Sequence, residues 1–179
     1  MKSAHDHELV RLIGSGKEQA FAELFARHGA LVLGYARRFV ARQEIAEEIS
    51  QDVWVKVVKQ AVHFKGEGVV PWLLAITRNA SLDFLRSRDR SSLSFEQLSE
   101  TREFEDLSRE SVEALLVDAE RMKELRSALE GLPDAQRAAL MMWMTEEMSY
   151  EQIARELATS VASVKSLLFR ARQTLAGRA

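Results

Sequence analysis

Apolar residues recur at three- and four-residue intervals along most of this chain, which is the period of a helix rather than of a strand. The clearest stripe is Ile45, Ile49, Val53 and Val57, with Val58 and Ala61 beside it. It predicts a helix from about residue 44 to 61. Glu47, Glu48, Gln51 and Asp52 stand on the outside of that helix, followed by Lys56 and Lys59. Acids early and lysines late suit the helix dipole, so this charge order is adequate for stability alone. Trp54 fits either the core or an anchor for a partner, because tryptophan is enriched where partners dock.

Upstream, Leu9, Leu12 and Ile13 predict a short helix closed by Gly14-Ser15-Gly16. His5-Asp6-His7 precede it, and Asp6 is expected to cap it. Two His and an Asp are metal-ligand types, but adjacent positions at a chain end do not make a site, and no metal is expected. Phe21, Leu24 and Phe25 keep helical spacing, as do Leu31, Tyr35 and Phe39, with Arg37, Arg38 and Arg42 near the end of the latter helix.

Downstream of residue 61, Phe64 and Lys65 lie in a glycine-bearing loop, and Pro71 opens a helix that runs to about Arg88. Leu73, Thr77, Ala80, Ser81, Phe84 and Leu85 fall broadly on one side of it. Trp72, Ile76, Asn79 and Asp83 form a second stripe, joined by Arg86. An Asn and an Asp on a half-apolar stripe need partners, because burying them unpaired costs a few kcal/mol. Neighbouring helices could supply those partners. Unpaired bases could too, since they expose hydrogen-bonding edges and stack on aromatic rings. Arg86, Arg88 and Arg90 add phosphate-binding charge.

Periodicity lapses over residues 91–111, where acids dominate, Ser is frequent and apolar residues are sparse. That composition predicts a linker, flexible or only partly ordered. Helical spacing returns near Val112 and runs to Leu129, and Gly131 closes that helix. Leu132-Pro133-Asp134 starts another, in which residues 138–144 are apolar nearly all round, as in a central buried helix.

Two helix starts follow. Ser149 with Gln152 three residues on is a capping box, and Ser160 can cap a second helix. So few residues separate the two helices that they must meet at a sharp angle, the helix-turn-helix layout. In the second helix Val164, Leu168, Ala171 and Leu175 form the packed stripe. Ala162, Ser166, Phe169, Arg170 and Gln173 face the other way, with Lys165 and Arg172 on the flanks, and no acid occurs after Glu156. Such a face suits phosphates, base edges and thymine methyls. A solvated face on a small bundle is the plainer alternative.

Composition narrows the picture. The chain has 179 residues, 46% hydrophobic and 29% charged, with 2 Pro and 8 Gly, which favours helices. Its net charge of -2 is unlike that of many DNA-binding proteins, but the signs are unevenly placed. With 0 Cys there is no disulfide, thiolate metal site or thiol switch. No signal peptide or membrane-spanning run is visible, so a cytoplasmic location without membrane insertion is expected. No phosphate-binding glycine loop, ligand cluster or nucleophile-base pair is present, which argues against an enzyme and against a cofactor.

Four stretches together resemble a bacterial sigma factor of the extracytoplasmic-function (ECF) group of the sigma-70 family. Residues 46–54 are similar to the family's acidic helix that docks on polymerase. Residues 71–79 with Asp83 and Arg86 look like the segment that melts and reads the minus-ten element. Residues 132–137 resemble the start of the second sigma domain, and residues 149–172 its helix-turn-helix for the minus-thirty-five element. The resemblance implies an all-α fold: a first domain over 1–90, an acidic linker over 91–111 and a helix-turn-helix domain over 112–179.

It further implies polymerase contacts from Glu47, Glu48, Gln51, Asp52, Trp54 and Lys56. Phe64, Lys65, Trp72, Asn79, Asp83, Arg86, Arg88 and Arg90 would meet the minus-ten strand. Ser160, Ala162, Ser163, Lys165, Ser166, Phe169, Arg170 and Arg172 would meet the upstream duplex. Core RNA polymerase, promoter DNA and an anti-sigma factor are the implied partners. The loop over 64–72 is one residue shorter than the family pattern, with Val69-Val70 where an aromatic is common. Ala158 stands where Gly is frequent, and Leu167 where Arg is frequent. A stand-alone helix-turn-helix regulator is the competing expectation. The acidic helix around Glu48 and the stripe from Trp72 to Asp83 argue against it.

Overall fold

The computed structural model describes residues 2–66, 68–89 and 129–177. Every regular element among them is helical. The chain divides into two compact units, Met1–Asp83 and Phe84–Ala179. The expected linker over 91–111, the expected helix from Val112 to Leu129 (save its last residue) and Arg90 lie outside the described residues.

The first unit begins with α1 (Lys2–Gly14), α2 (Glu18–Ala36) and α3 (Gln43–Gln60). A 3-10 turn at Ala61–His63 leads on to α4 (Val69–Asp89), of which the part up to Asp83 belongs to this unit. Helix α1 is longer than the apolar spacing predicts, and it starts before the polar residues expected to precede it. Asp6 therefore lies inside the helix, not at its cap. Its side chain is buried, and its carboxylate accepts from Arg27 Nη1 and His28 Nε2 of α2, each at 2.9 Å. Burial alone would raise this carboxyl's pKa, but the hydrogen bonds and charges of His28 and Arg27 outweigh it and hold the group below its usual value.

The α1–α2 turn is closed as its glycines predict. Gly16 takes φ +79°, a left-handed conformation that side chains resist. Gly14 has another use: a Cβ there would come within 3.2 Å of the Val62 backbone, so the missing side chain lets α1 lie against the 3-10 turn.

Apolar faces meet between these helices. Val10, Leu24, Val32, Ala36, Val53 and Val57 are fully buried, and so is Leu73 of α4. A fully buried side chain of this kind contributes about 1.5–3 kcal/mol. Phe39 and Val40 are buried too, but in the connection after α2, where Phe39 accompanies Tyr35 ring edge to face at 5.5 Å. Pro71 sits in the first turn of α4 rather than at its opening position, still where a missing amide costs little. Thr77 and Ser81 are buried on α4 and satisfied locally, donating to the carbonyls of Leu73 and Thr77.

In the second unit, α5 (Asp134–Thr145), α6 (Tyr150–Glu156) and α7 (Val161–Ala176) pack together. Helix α5 is central, with Ala138, Ala139, Leu140, Met142 and Trp143 all buried. The buried Arg137 donates through Nη2 to the Leu129 carbonyl, fixing the chain just ahead of the helix.

Candidate nucleic-acid interface

Both caps of the helix-turn-helix form as the sequence predicts. Ser149 Oγ accepts from the Gln152 amide at 3.2 Å while Gln152 Oε1 accepts from the Ser149 amide at 2.7 Å. Ser160 Oγ accepts from the Ser163 amide at 3.1 Å. The turn between α6 and α7 closes through the Thr159 amide, which donates to Ala154 at 2.9 Å. Ala158 lies in that turn at φ +53°.

The packed stripe of α7 is wider than predicted. Leu167 joins Val164, Leu168, Ala171 and Leu175, and Ser163 and Ser166 are buried as well. Leu167 is therefore a core residue here. Ser166 is 1% exposed, its Oγ is without a hydrogen-bond partner, and it cannot present a hydroxyl to DNA as expected. The reason is angular: Ser163 and Ser166 lie one turn apart on the row that flanks Leu167, so roughly half the circumference of α7 faces inward.

What remains outside is Ala162, Arg172 and Gln173, exposed, with Lys165, Phe169 and Arg170 half-buried between them. Ser160 is exposed but occupied as a cap. Lys165 stands over the Tyr150 ring at 5.6 Å, an anchor that sequence spacing did not reveal. Nearby, the Glu151 carboxyl is held below its usual pKa, first by its own backbone amide and the Ser149 hydroxyl, then by Lys165 and Arg155.

The first unit carries a second face. Phe64 and Trp72 are half-buried, with ring centroids 4.8 Å apart. Lys65 and Asn79 are exposed beyond them. Asp83 is exposed as well, and it takes an ion pair from Lys56 of α3 at 3.5 Å, so α3 supplies the neighbour its stripe required. Neither Asn79 nor Asp83 is an interior polar group, which removes the penalty of burial. Arg86 is half-buried on α4 and Arg88 lies on the same helix, both past Asp83, where the first unit ends.

A third face, on α3, is acidic. Glu47, Glu48, Gln51 and Asp52 are exposed along α3. Trp54 is 4% exposed, so of its two expected roles it takes the core, with Phe21 and Phe25 against it at 5.8 and 5.1 Å. Its Nε1 is buried and without a hydrogen-bond partner. Beside it α2 and α3 leave a groove of about 710 Å³. Phe25, Val55 and Val58 line it and are about half exposed, while Glu47 and Gln51 sit at its acidic side. Spacing puts Phe25 among the apolar repeats of its helix and Val58 beside the apolar stripe of α3. Only the structure shows that both are left open, on the groove. Among the described residues no cluster of ligand-type side chains could hold a metal, and Asp6 is engaged by Arg27 and His28.

Residues 24–91 match the family profile for Sigma-70 region 2, and residues 122–175 match that for Sigma-70, region 4. The chain belongs to the sigma-70 family. It falls in the ECF group of that family. It is 28% identical to the RNA polymerase sigma-H factor of Pseudomonas aeruginosa over 178 residues, 95% of this chain and 91% of that one. Similarity to the ECF RNA polymerase sigma-E factor of Haemophilus influenzae is 27% over 176 residues, covering 95% and 93%. With the ECF RNA polymerase sigma factor SigE of Mycolicibacterium smegmatis it shares 30% over 153 residues, 86% of this chain and 59% of that one. Among the described residues no helix is long and apolar enough to cross a membrane.

Proposed function

We propose that this protein is an alternative sigma factor: a dissociable subunit that binds core RNA polymerase, selects promoters and starts transcription, leaving the chemistry to the core enzyme. The observation that carries it is the presence, in one chain, of a helix-turn-helix unit and a separate aromatic-polar face, each matched to a different sigma region. In this reading residues 112–179 read the upstream duplex through Ala162, Lys165, Phe169, Arg170 and Arg172. Residues 1–90 hold the melted minus-ten strand. Phe64 and Trp72 offer stacking surface, Asn79 offers a base-edge contact, and Arg86, Arg88 and Arg90 meet phosphate.

Core polymerase docks on the acidic flank of α3 and on the groove beside it, where Phe25, Val55 and Val58 supply apolar contact. The linker over 91–111 joins the two parts and follows polymerase channels that otherwise hold nucleic acid. An anti-sigma factor that covers the polymerase- and DNA-facing surfaces fits the same picture, as does a cytoplasmic site of action.

The test is transcription in vitro with sigma-free core polymerase and fragmented DNA of the source genome. Discrete RNA starts preceded by two spaced motifs are expected. Absence of starts together with absence of co-elution with core would turn the assignment to a stand-alone regulator.

A further inference from the structure

The aromatic row in the first unit does not end at Phe64. The half-buried ring of His7, on α1, lies against Phe64 with centroids 5.3 Å apart and planes at 60°. Phe64 thus touches both the His7 ring and the Trp72 ring. Gly66 lies close by: a Cβ there would come within 3.1 Å of the ring, so its missing side chain leaves the Phe64 ring room.

Helix α1 is itself locked in place. The residue beside His7 is Asp6, buried and bound to Arg27 and His28 of α2. At the other end of the helix, Gly14 permits close approach to the backbone of Val62, two residues before Phe64. Helix α1 is therefore fastened at two points and carries one ring between them, aimed at the aromatic that opens the loop.

We infer that His7 is a positioning residue for minus-ten discrimination: it sets the attitude of the Phe64 ring, and through it the surface that receives an unpaired base. This rests on the reading of the first unit as the minus-ten face. A stacked base is sensitive to the tilt of its platform, and one aromatic contact is worth a factor of about two to ten. Loss of the His7 ring should therefore change which base is preferred without removing the capacity to bind core or the upstream duplex.

The experiment uses full-length protein with core polymerase on linear templates. They derive from a promoter the wild-type protein selects, permuted one base at a time across its minus-ten element. His7→Leu keeps volume without an aromatic ring, and His7→Phe keeps a ring. With His7→Leu the preference at one or two positions is expected to flatten about two- to tenfold, while core binding by gel filtration is retained. His7→Phe is expected to restore the wild-type profile. If His7→Leu lowers output equally on every template, or keeps the wild-type profile, His7 only fills space and the inference falls. If both variants flatten the profile alike, the ring is not what positions Phe64, and the inference falls on that outcome too. Should the wild-type protein itself give no starts, the sigma assignment fails, and it is distinguished by that control.

Discussion

Ala158 holds a backbone conformation that suits glycine. At φ +53° its Cβ crowds the following carbonyl, which costs roughly 1–2 kcal/mol for an L-residue. Ala158→Gly should remove that cost and lose part of the gain to the freer unfolded chain. A net stabilisation of about 0.5–1 kcal/mol is expected, read as a higher denaturant midpoint with unchanged slope. An unchanged or lower midpoint would show that the turn is not strained. Asp6 makes a prediction in the other direction. Its folded pKa lies below the ordinary aspartate value, so its contribution to stability is present above that ordinary value and fades as pH falls through the folded pKa. Asp6→Asn should melt earlier than wild type at neutral pH, and the gap should narrow in acid below about pH 4. A gap independent of pH would mean that charge plays no part. Of these two residues, the sequence marks Ala158, because the turn is local and a glycine pattern can be compared. It misplaces Asp6, since the partners that draw it into the helix face are 21 and 22 residues away.

At the scale of elements, what was legible was what is written within a few residues. The capping box at Ser149 and the cap at Ser160 are relations over three residues, and both form. Ser160→Ala should destabilise the second unit by about 1 kcal/mol and weaken use of upstream-dependent promoters, while Ser160→Asp should keep the cap and the stability. Thermal melting of the full chain checks the first part; equal melting of wild type and Ser160→Ala would leave the cap without energetic weight. Faces are harder to read than caps. A wheel gives the direction of each side chain on α7 but not how far the neighbouring elements reach around it, so Ser166 reads as outward and is buried. The same limit hides the groove beside Trp54. Spacing says which residues of α2 and α3 are apolar, yet only the folded arrangement shows that Phe25, Val55 and Val58 remain open.

For the whole molecule, the near-neutral net charge has a consequence. With a charge of -2, nonspecific attraction to DNA phosphate is weak, and affinity must come from placing two modest surfaces at once. Core polymerase is what would place them, so the two functions should separate by mutation. Arg170→Ala removes a cation from α7 and should weaken promoter use about tenfold, with core affinity unchanged. If Arg170 meets a phosphate, the salt dependence of promoter binding should also fall by about one unit of slope. Glu48→Lys with Asp52→Lys reverses two exposed charges on α3, and core affinity should drop about tenfold, with faster loss of encounter at low salt. Promoter use should then recover when core is supplied in excess, because the DNA-facing residues are intact. That recovery is the decisive observation: excess core cannot rescue Arg170→Ala. If rescue occurred for Arg170→Ala and not for the double reversal, α7 would be the docking face and α3 the reading face.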